Sequence, residues 1–165
     1  SGGLKVLDNI INNDYFPNYA RSMGNAYEML STIRRDGVFC MRSYQDSNIR
    51  VTLQIFGDLI AYLKKFNIPK KQMDRFILST IGKLSRPLSA DKKGEIANFN
   101  HMMGLTYEMQ QQEQEQILTT GVEEIKNYAT LVSDVLKQNC ICVIGNEANI
   151  KKESDLFSEL HSVFR

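Results

Sequence analysis

The sequence predicts an α+β fold, a small mostly antiparallel sheet with helices packed on one face. Three observations carry this: apolar residues recur at helical spacing over most of the chain, an Asp-Gly pair separates two strand-like runs, and a short continuous apolar segment stands near the end. Leu4, Leu7, Ile10, Ile11 and Tyr15 fall on one helical face and predict an amphipathic first helix over 4–15. Tyr27 to Ile33 and Val38 to Tyr44 flank Arg35-Asp36-Gly37, whose Asp-Gly pair supplies the turn chemistry of a β-hairpin.

Beyond the hairpin the pattern turns helical. Leu53, Phe56, Ile60 and Leu63 define one stripe, and Met73, Phe76, Ile77, Ile81 and Leu84 another, with Pro69 near its start and Pro87 at its end. Ile96, Phe99 and Met103 predict a third helix stopped by Gly104. Residues 106–118 predict a fourth, whose polar middle, Gln110 to Gln116, reads as a solvated face between anchors at Tyr107, Met109, Ile117 and Leu118. Ile125, Tyr128, Val132 and Leu136 carry a fifth after the break at Gly121. Cys140 to Ile144 reads as a doubly buried strand, and Leu156, Phe157, Leu160 and Phe164 as a closing helix.

At 165 residues and 42% hydrophobic content the chain encloses one core. A net charge of +1 with both signs interleaved gives no field for nucleic acid and no polybasic membrane patch. No apolar run approaches the roughly 20 residues that cross a bilayer. The opening Ser1-Gly2-Gly3 reads either as a small-residue lead into the first helix or as a remnant foreign to the fold. Three cysteines are too few for a disulfide framework, which favours a reducing compartment, cytoplasmic or organellar. They are expected to be buried and inert, and His101 and His161 to lie at the surface or the core edge. No His-x-x-Glu-His, Gly-x-Ser-x-Gly or P-loop sequence occurs, so no metal site is expected within the chain.

The segment Asn18-Tyr19-Ala20-Arg21-Ser22-Met23-Gly24-Asn25-Ala26-Tyr27 stands out, because it places a cation and a phenol six residues apart around a glycine, between a helix and a hairpin. Arg and Tyr at half-exposed strand ends also serve purely structural roles. From Leu4 to Phe164 the chain resembles the last part of the insulinase-like (pitrilysin) metallopeptidases, in the branch containing presequence protease and falcilysin. There a helix leads into an arginine, two residues, and a Gly-Gly-Ala-Tyr-Gly turn and strand, matched here by Arg21 to Glu28. Ser43-Tyr44-Gln45-Asp46-Ser47-Asn48 resembles the family's Ser-Tyr-Arg-Asp-Pro-Asn. Ile77 to Leu88, Lys93 to Gly104 and Gln116 to Thr120 follow in the family's order. Two glycines of the turn are replaced, by Asn25 and Glu28. Asn tolerates left-handed backbone, whereas Glu28 adds a carboxylate beside the proposed site and puts full activity in question.

The resemblance implies a single C-terminal domain over 1–165, part of a longer multidomain zinc endopeptidase that degrades peptides and truncated here at its N-terminal strands. Zinc would be held outside this chain, in the N-terminal half of the protein, and this domain would bind substrate and close the chamber. Tyr27 and Arg21 would be the catalytic pair, the phenol donating to the oxyanion and the guanidinium holding a peptide carbonyl, with Gly24, Asn25 and Ala26 lining the substrate. The implied partners are a peptide and the N-terminal half, with no nucleic acid or membrane. The sheet edge left open by the missing strands could pair with another copy, giving an edge-strand dimer. The rival reading is a non-catalytic helical interaction module or degenerate peptidase half, favoured by the helix content, the polar Gln110 to Gln116 face, Asn25 and Glu28. An inverted zinc motif in frame upstream would favour the peptidase, and a natural start codon near Ser1 the module.

Overall fold

The structure, a computed structural model, describes residues 1–23 and 26–162, except the side chains of 20–23. The first helix runs past the predicted end at Tyr15: α1 (Gly2–Ile10) passes through a π turn (Ile11–Tyr15) into α2 (Phe16–Met23). Pro17 is the physical reason. It has no amide hydrogen to give to the carbonyl one turn back, and its ring crowds that carbonyl; the helix accommodates both by widening, and Phe16 N–H bonds to Ile11 O instead.

The hairpin follows as predicted, with β1 (Ala26–Ile33) and β2 (Phe39–Asp46) antiparallel and Ile33 opposite Phe39. Gly37 adopts φ +90 in the connection, a conformation in which a side chain is strained. Helices α3 (Ile49–Lys64), α4 (Lys70–Leu84), α5 (Ala90–Met102), α6 (Tyr107–Thr119) and α7 (Val122–Leu136) match the periodic stripes. Gly104, at φ +63, ends α5 as expected; Leu105 N–H bonds to Asn100 O and Gly104 N–H to His101 O, closing its last carbonyls.

Helices cover one face of the two-stranded sheet, which confirms the α+β class. Met29 and Ser31 point inward from β1, while Phe39 and Met41 of β2 pack against the same core. The core is built around α1, which meets α4, α6, α7 and β1, and around α3, which packs on α7. Val6, Leu7, Ile10 and Ile11 are fully buried, as are Leu59, Leu63, Ile117, Ile125 and Val132. Burying each such side chain contributes about 1.5–3 kcal/mol. α1 is therefore a central helix, buried on more sides than the amphipathic pattern suggested.

Gly2 and Gly3 belong to this packing. A Cβ on Gly2 would overlap the Glu113 carbonyl oxygen and lie 2.6 Å from the Ile117 nitrogen, and one on Gly3 would overlap the Glu124 carboxylate and the Tyr128 hydroxyl. Gly2 N–H also donates to Gln116 Oε1 at 2.8 Å. Polar α1 residues find partners in every direction. Asn9 Nδ2 donates to Phe76 O and Thr80 Oγ1, both at 3.0 Å, and Lys83 Nζ donates to Asn9 Oδ1 at 2.7 Å. Asn12 and Ser31 exchange bonds, Ser31 N–H to Asn12 Oδ1 at 2.7 Å and Asn12 Nδ2 to Ser31 O at 3.1 Å, while Ser31 Oγ donates to Asp8 Oδ1. Among the described residues no buried side-chain nitrogen or oxygen lacks a partner.

Three expectations are corrected. The polar middle of α6 is mostly exposed as expected, although Glu113 bonds Lys5 Nζ at 2.8 Å and also Arg35 at the hairpin connection, and Gln116 caps α1; its anchors are what differ. Of its expected anchors only Ile117 is buried, while Tyr107, Met109 and Leu118 are exposed. Cys140 to Ile144 forms no strand but an exposed extended segment, so Cys140, Cys142 and also Cys40 are exposed free thiols. Among the described residues no strand pairs with this apolar run. The closing helix is replaced by α8 (Glu147–Lys152) and a single 3-10 turn at Ser154–Leu156, with Phe164 outside the described residues. Arg50 holds this tail through Glu153 at 2.6 Å and Asp155 at 2.8 Å, so ion pairs rather than an apolar face dock it.

Gly2→Ala should lower the urea midpoint by the equivalent of about 1–3 kcal/mol, because backbone on α6 must move; an unchanged midpoint would show that α1 and α6 are not in contact there. Burial raises the Asp8 carboxyl above the ordinary 3.8, against the Ser31 bond, the Lys83 charge and the Asn12 bond. The folded state thus disfavours ionisation, and stability falls as pH rises from the unfolded value through the folded one. Asp8→Asn keeps an acceptor for Ser31 without the charge. Its midpoint should equal or exceed the parent's at neutral pH, with the difference vanishing below 3.8; a neutral-pH loss would sink this account.

Candidate functional site

The residues singled out from sequence gather at the root of the hairpin, where α2 hands the chain to β1. Arg21 lies in the last turn of α2, in the helix rather than beyond it, and its side chain lies outside the described residues. Gly24 and Asn25 also lie outside them. Ala26 opens β1 opposite Asp46 and packs against the core.

Tyr27 follows, 78% exposed. Ala26 packs against the core and Met29 is buried, whereas Tyr27 and Glu28 between them are both exposed, with the ladder register unchanged from Ala26 to Ile33. Across the ladder Gln45 adopts φ +49, a left-handed conformation at a non-glycine residue.

Tyr44, opposite Glu28, completes the outward face: its ring meets the Tyr27 ring edge-on at a centroid distance of 6.5 Å. Such pairs contribute about 0.5–1.5 kcal/mol and here fix the orientation of an exposed phenol. Arg42 is exposed two residues along the same strand, opposite Leu30. Sequence reasoning missed Tyr44 as a neighbour of Tyr27. The hairpin register would have found it once the turn at Asp36-Gly37 was fixed.

The remainder of the Ser43 to Asn48 block has a structural explanation. Asp46 accepts from Asn48 N–H at 2.9 Å and from the Thr52 hydroxyl, and Asn48 Oδ1 caps α3 by accepting from Val51 N–H at 3.2 Å. Together they set the angle at which β2 enters α3. Beside them a cleft of about 230 Å³ is walled by Asp46 to Ile49 and by Val143 to Asn146.

Behind the root stands an aromatic cluster. Tyr15 donates to Ile55 O at 2.5 Å and lies 4.5 Å from the Tyr19 ring and 4.9 Å from the Tyr62 ring. Tyr62 donates to Asp14. Burial pushes both phenols, Tyr15 and Tyr62, far above the ordinary tyrosine value, so they are neutral donors that hold α2 on α3. Among the described residues no three of His, Cys, Asp and Glu come together as metal ligands, so a zinc ion does not fit here; His101 is exposed and His161 bonds Glu159 at 3.0 Å. No helix of the described residues is long and apolar enough to cross a membrane.

Residues 1–147 match the family model described as the PreP C-terminal domain. The chain is 39% identical over its whole length to "Protein HypA" of Clostridium perfringens, of which it spans 17%. It is 29% identical over 86% of its length to "Presequence protease 1, chloroplastic/mitochondrial" of Arabidopsis thaliana, spanning 13% of that protein. It is 26% identical over 94% of its length to "Presequence protease, mitochondrial" of Aspergillus oryzae, spanning 15% of it. The chain therefore corresponds to a small part of each relative. With the helix, turn and hairpin in the family's order and the family model covering most of the chain, the protein belongs to the presequence-protease branch of the insulinase-like (pitrilysin) metallopeptidases, as its C-terminal domain.

Proposed function

We propose that residues 1–165 form one domain of a longer multidomain peptidase and serve it as the substrate-binding surface that closes the chamber, as the resemblance implies. The observation that carries this reading is Tyr27: a large aromatic at a strand root, exposed to solvent and braced by Tyr44. A core function would bury such a ring, and a fortuitous surface residue would not need the brace.

In this reading the Tyr27 hydroxyl donates to the carbonyl oxygen of the peptide bond as negative charge develops on it, and Arg21 holds a neighbouring backbone carbonyl. Gly24, Asn25 and Ala26 bring the turn against the peptide backbone. Rigid elements hold the pair, α2 through the tyrosine cluster and β1 through the Asn12 and Ser31 bonds. In this reading zinc is held by the N-terminal half of the same protein, as the resemblance implies, and the peptidase activity belongs to the full-length protein.

The relatives whose names give a location are mitochondrial or chloroplastic, and the exposed free thiols suit a reducing interior, cytoplasmic or organellar. The rival reading, a degenerate half kept for architecture, draws on Glu28, exposed beside Tyr27 where the family has glycine. The open hairpin edges leave room for an edge-strand dimer of the isolated domain.

In the full-length protein, Tyr27→Phe should lower kcat for peptide cleavage by about 10²–10³ with zinc content and folding unchanged, as removal of an oxyanion donor does. Arg21→Ala should also impair turnover. Parent-like turnover in Tyr27→Phe would return Tyr27 to a structural role, and a folded, zinc-loaded but inactive parent would establish the degenerate half.

A further inference from the structure

Most charged side chains of the hairpin serve the fold. Arg34 pairs with Asp36 at the connection, Arg35 pairs with Glu113 of α6, and Asp46 accepts from Asn48 N–H and the Thr52 hydroxyl where β2 enters α3. Glu28 and Arg42 do not follow this rule: both are exposed, and among the described residues neither has a hydrogen bond or an ion pair. Their positions are specific. Glu28 follows Tyr27 and stands directly opposite Tyr44, whose ring meets that of Tyr27, and Arg42 lies two residues from Tyr44 on the same strand. Strand alternation puts Glu28, Tyr44 and Arg42 on one face of the hairpin, turned away from the buried Met29 and Ser31. Glu28 and Arg42 are diagonal neighbours at about 7–8 Å, a gap that long side chains can span. They nonetheless make no bond to each other, so both charges remain available to a chain that lies over the tyrosine pair.

We propose that Glu28 and Arg42 select the charge of the bound peptide, Glu28 taking a lysine or arginine side chain beside Tyr27 and Arg42 taking an aspartate or glutamate side chain farther along. The spacing fits an extended substrate. Side chains on one face of such a chain recur every two residues, about 6.6 Å, which is also the rise from Tyr44 to Arg42. The substrate class is therefore an extended peptide with a basic and an acidic side chain two residues apart. Each contact would be a charge-assisted hydrogen bond, and a like charge at either position would be repelled, so the pair discriminates by rejection as well as by attraction. Opposite signs this close give no net field, which disfavours a membrane or a nucleic acid, whose charges are of one sign. The inference rests on the reading of the surface around Tyr27 as the peptide site and does not require Tyr27 to act in catalysis.

The test uses capped decapeptides of one neutral sequence that differ at a single central residue, Lys, Asp or Ser, so that no terminal charge contributes. Their affinities are measured calorimetrically on the full-length protein, with zinc removed by a chelator so that no peptide is cut. The parent should bind the lysine and the aspartate peptides each about two- to fivefold more tightly than the serine peptide at low salt, an advantage that shrinks at high salt. Glu28→Gln should abolish the lysine advantage alone, and Arg42→Gln the aspartate advantage alone, a split that a general loss of structure does not produce. Equal binding of the three peptides by the parent, or variants that weaken all three alike, would overturn the proposal. If no peptide binds at all, the peptide site itself is removed and the selection with it. Charge selection kept by a fully active Tyr27→Phe protein would support the proposal and remove only the catalytic role of Tyr27.

Discussion

A helix enclosed on most sides must satisfy the polar groups it carries, and the run from Gly2 to Asn12 meets that constraint through three neighbouring elements. Gly2 reaches α6, Asn9 reaches α4, and Asn12 and Asp8 reach Ser31 on β1. Each bond adds modestly to stability, but leaving one unmade would strand a desolvated donor or acceptor at about 1–3 kcal/mol. The network therefore specifies orientation. Slide α1 by one turn and the apolar contacts of Leu7 and Ile10 could re-form elsewhere, whereas the Asn9 and Asn12 partners could not.

The π turn is what lets a single helical segment serve two directions. By widening ahead of Pro17 it brings Asn12 to the sheet and Tyr15 to α3 within a few residues, which ordinary helical spacing separates differently. The hairpin is thus fixed to α1 at Ser31, and α2 is fixed to α3 through Tyr15 and Tyr62. The hairpin root lies between these two attachments. Its exposed phenol meets the exposed Tyr44 ring, while the elements on either side are held by contacts with the core.

The far side of the molecule follows a different logic. Glu113 ties α6 to both α1 and the hairpin connection, and the Lys5 and Arg35 bonds and charges outweigh the effect of burial to hold its carboxyl below the ordinary glutamate value. Beyond that tie, α5 extends its apolar side chains without a neighbour among the described residues.

Helices and hairpin were legible in the sequence because their signals are local. The three- and four-residue spacing in α3, α4 and α7 and the Asp36-Gly37 turn each depend on backbone geometry within a few residues. The segment from Arg21 to Tyr27 and its family were legible as well, because motif order survives in the chain itself. Tertiary structure decided what spacing cannot encode, namely which face meets which neighbour. It buried Gly2 and Gly3, recruited Glu113 and Gln116 from an apparently solvated run, and paired Tyr27 with Tyr44. It also left Cys140 to Ile144 and the face of α5 in solvent, since an apolar segment becomes a strand or a core helix only where another surface comes to cover it.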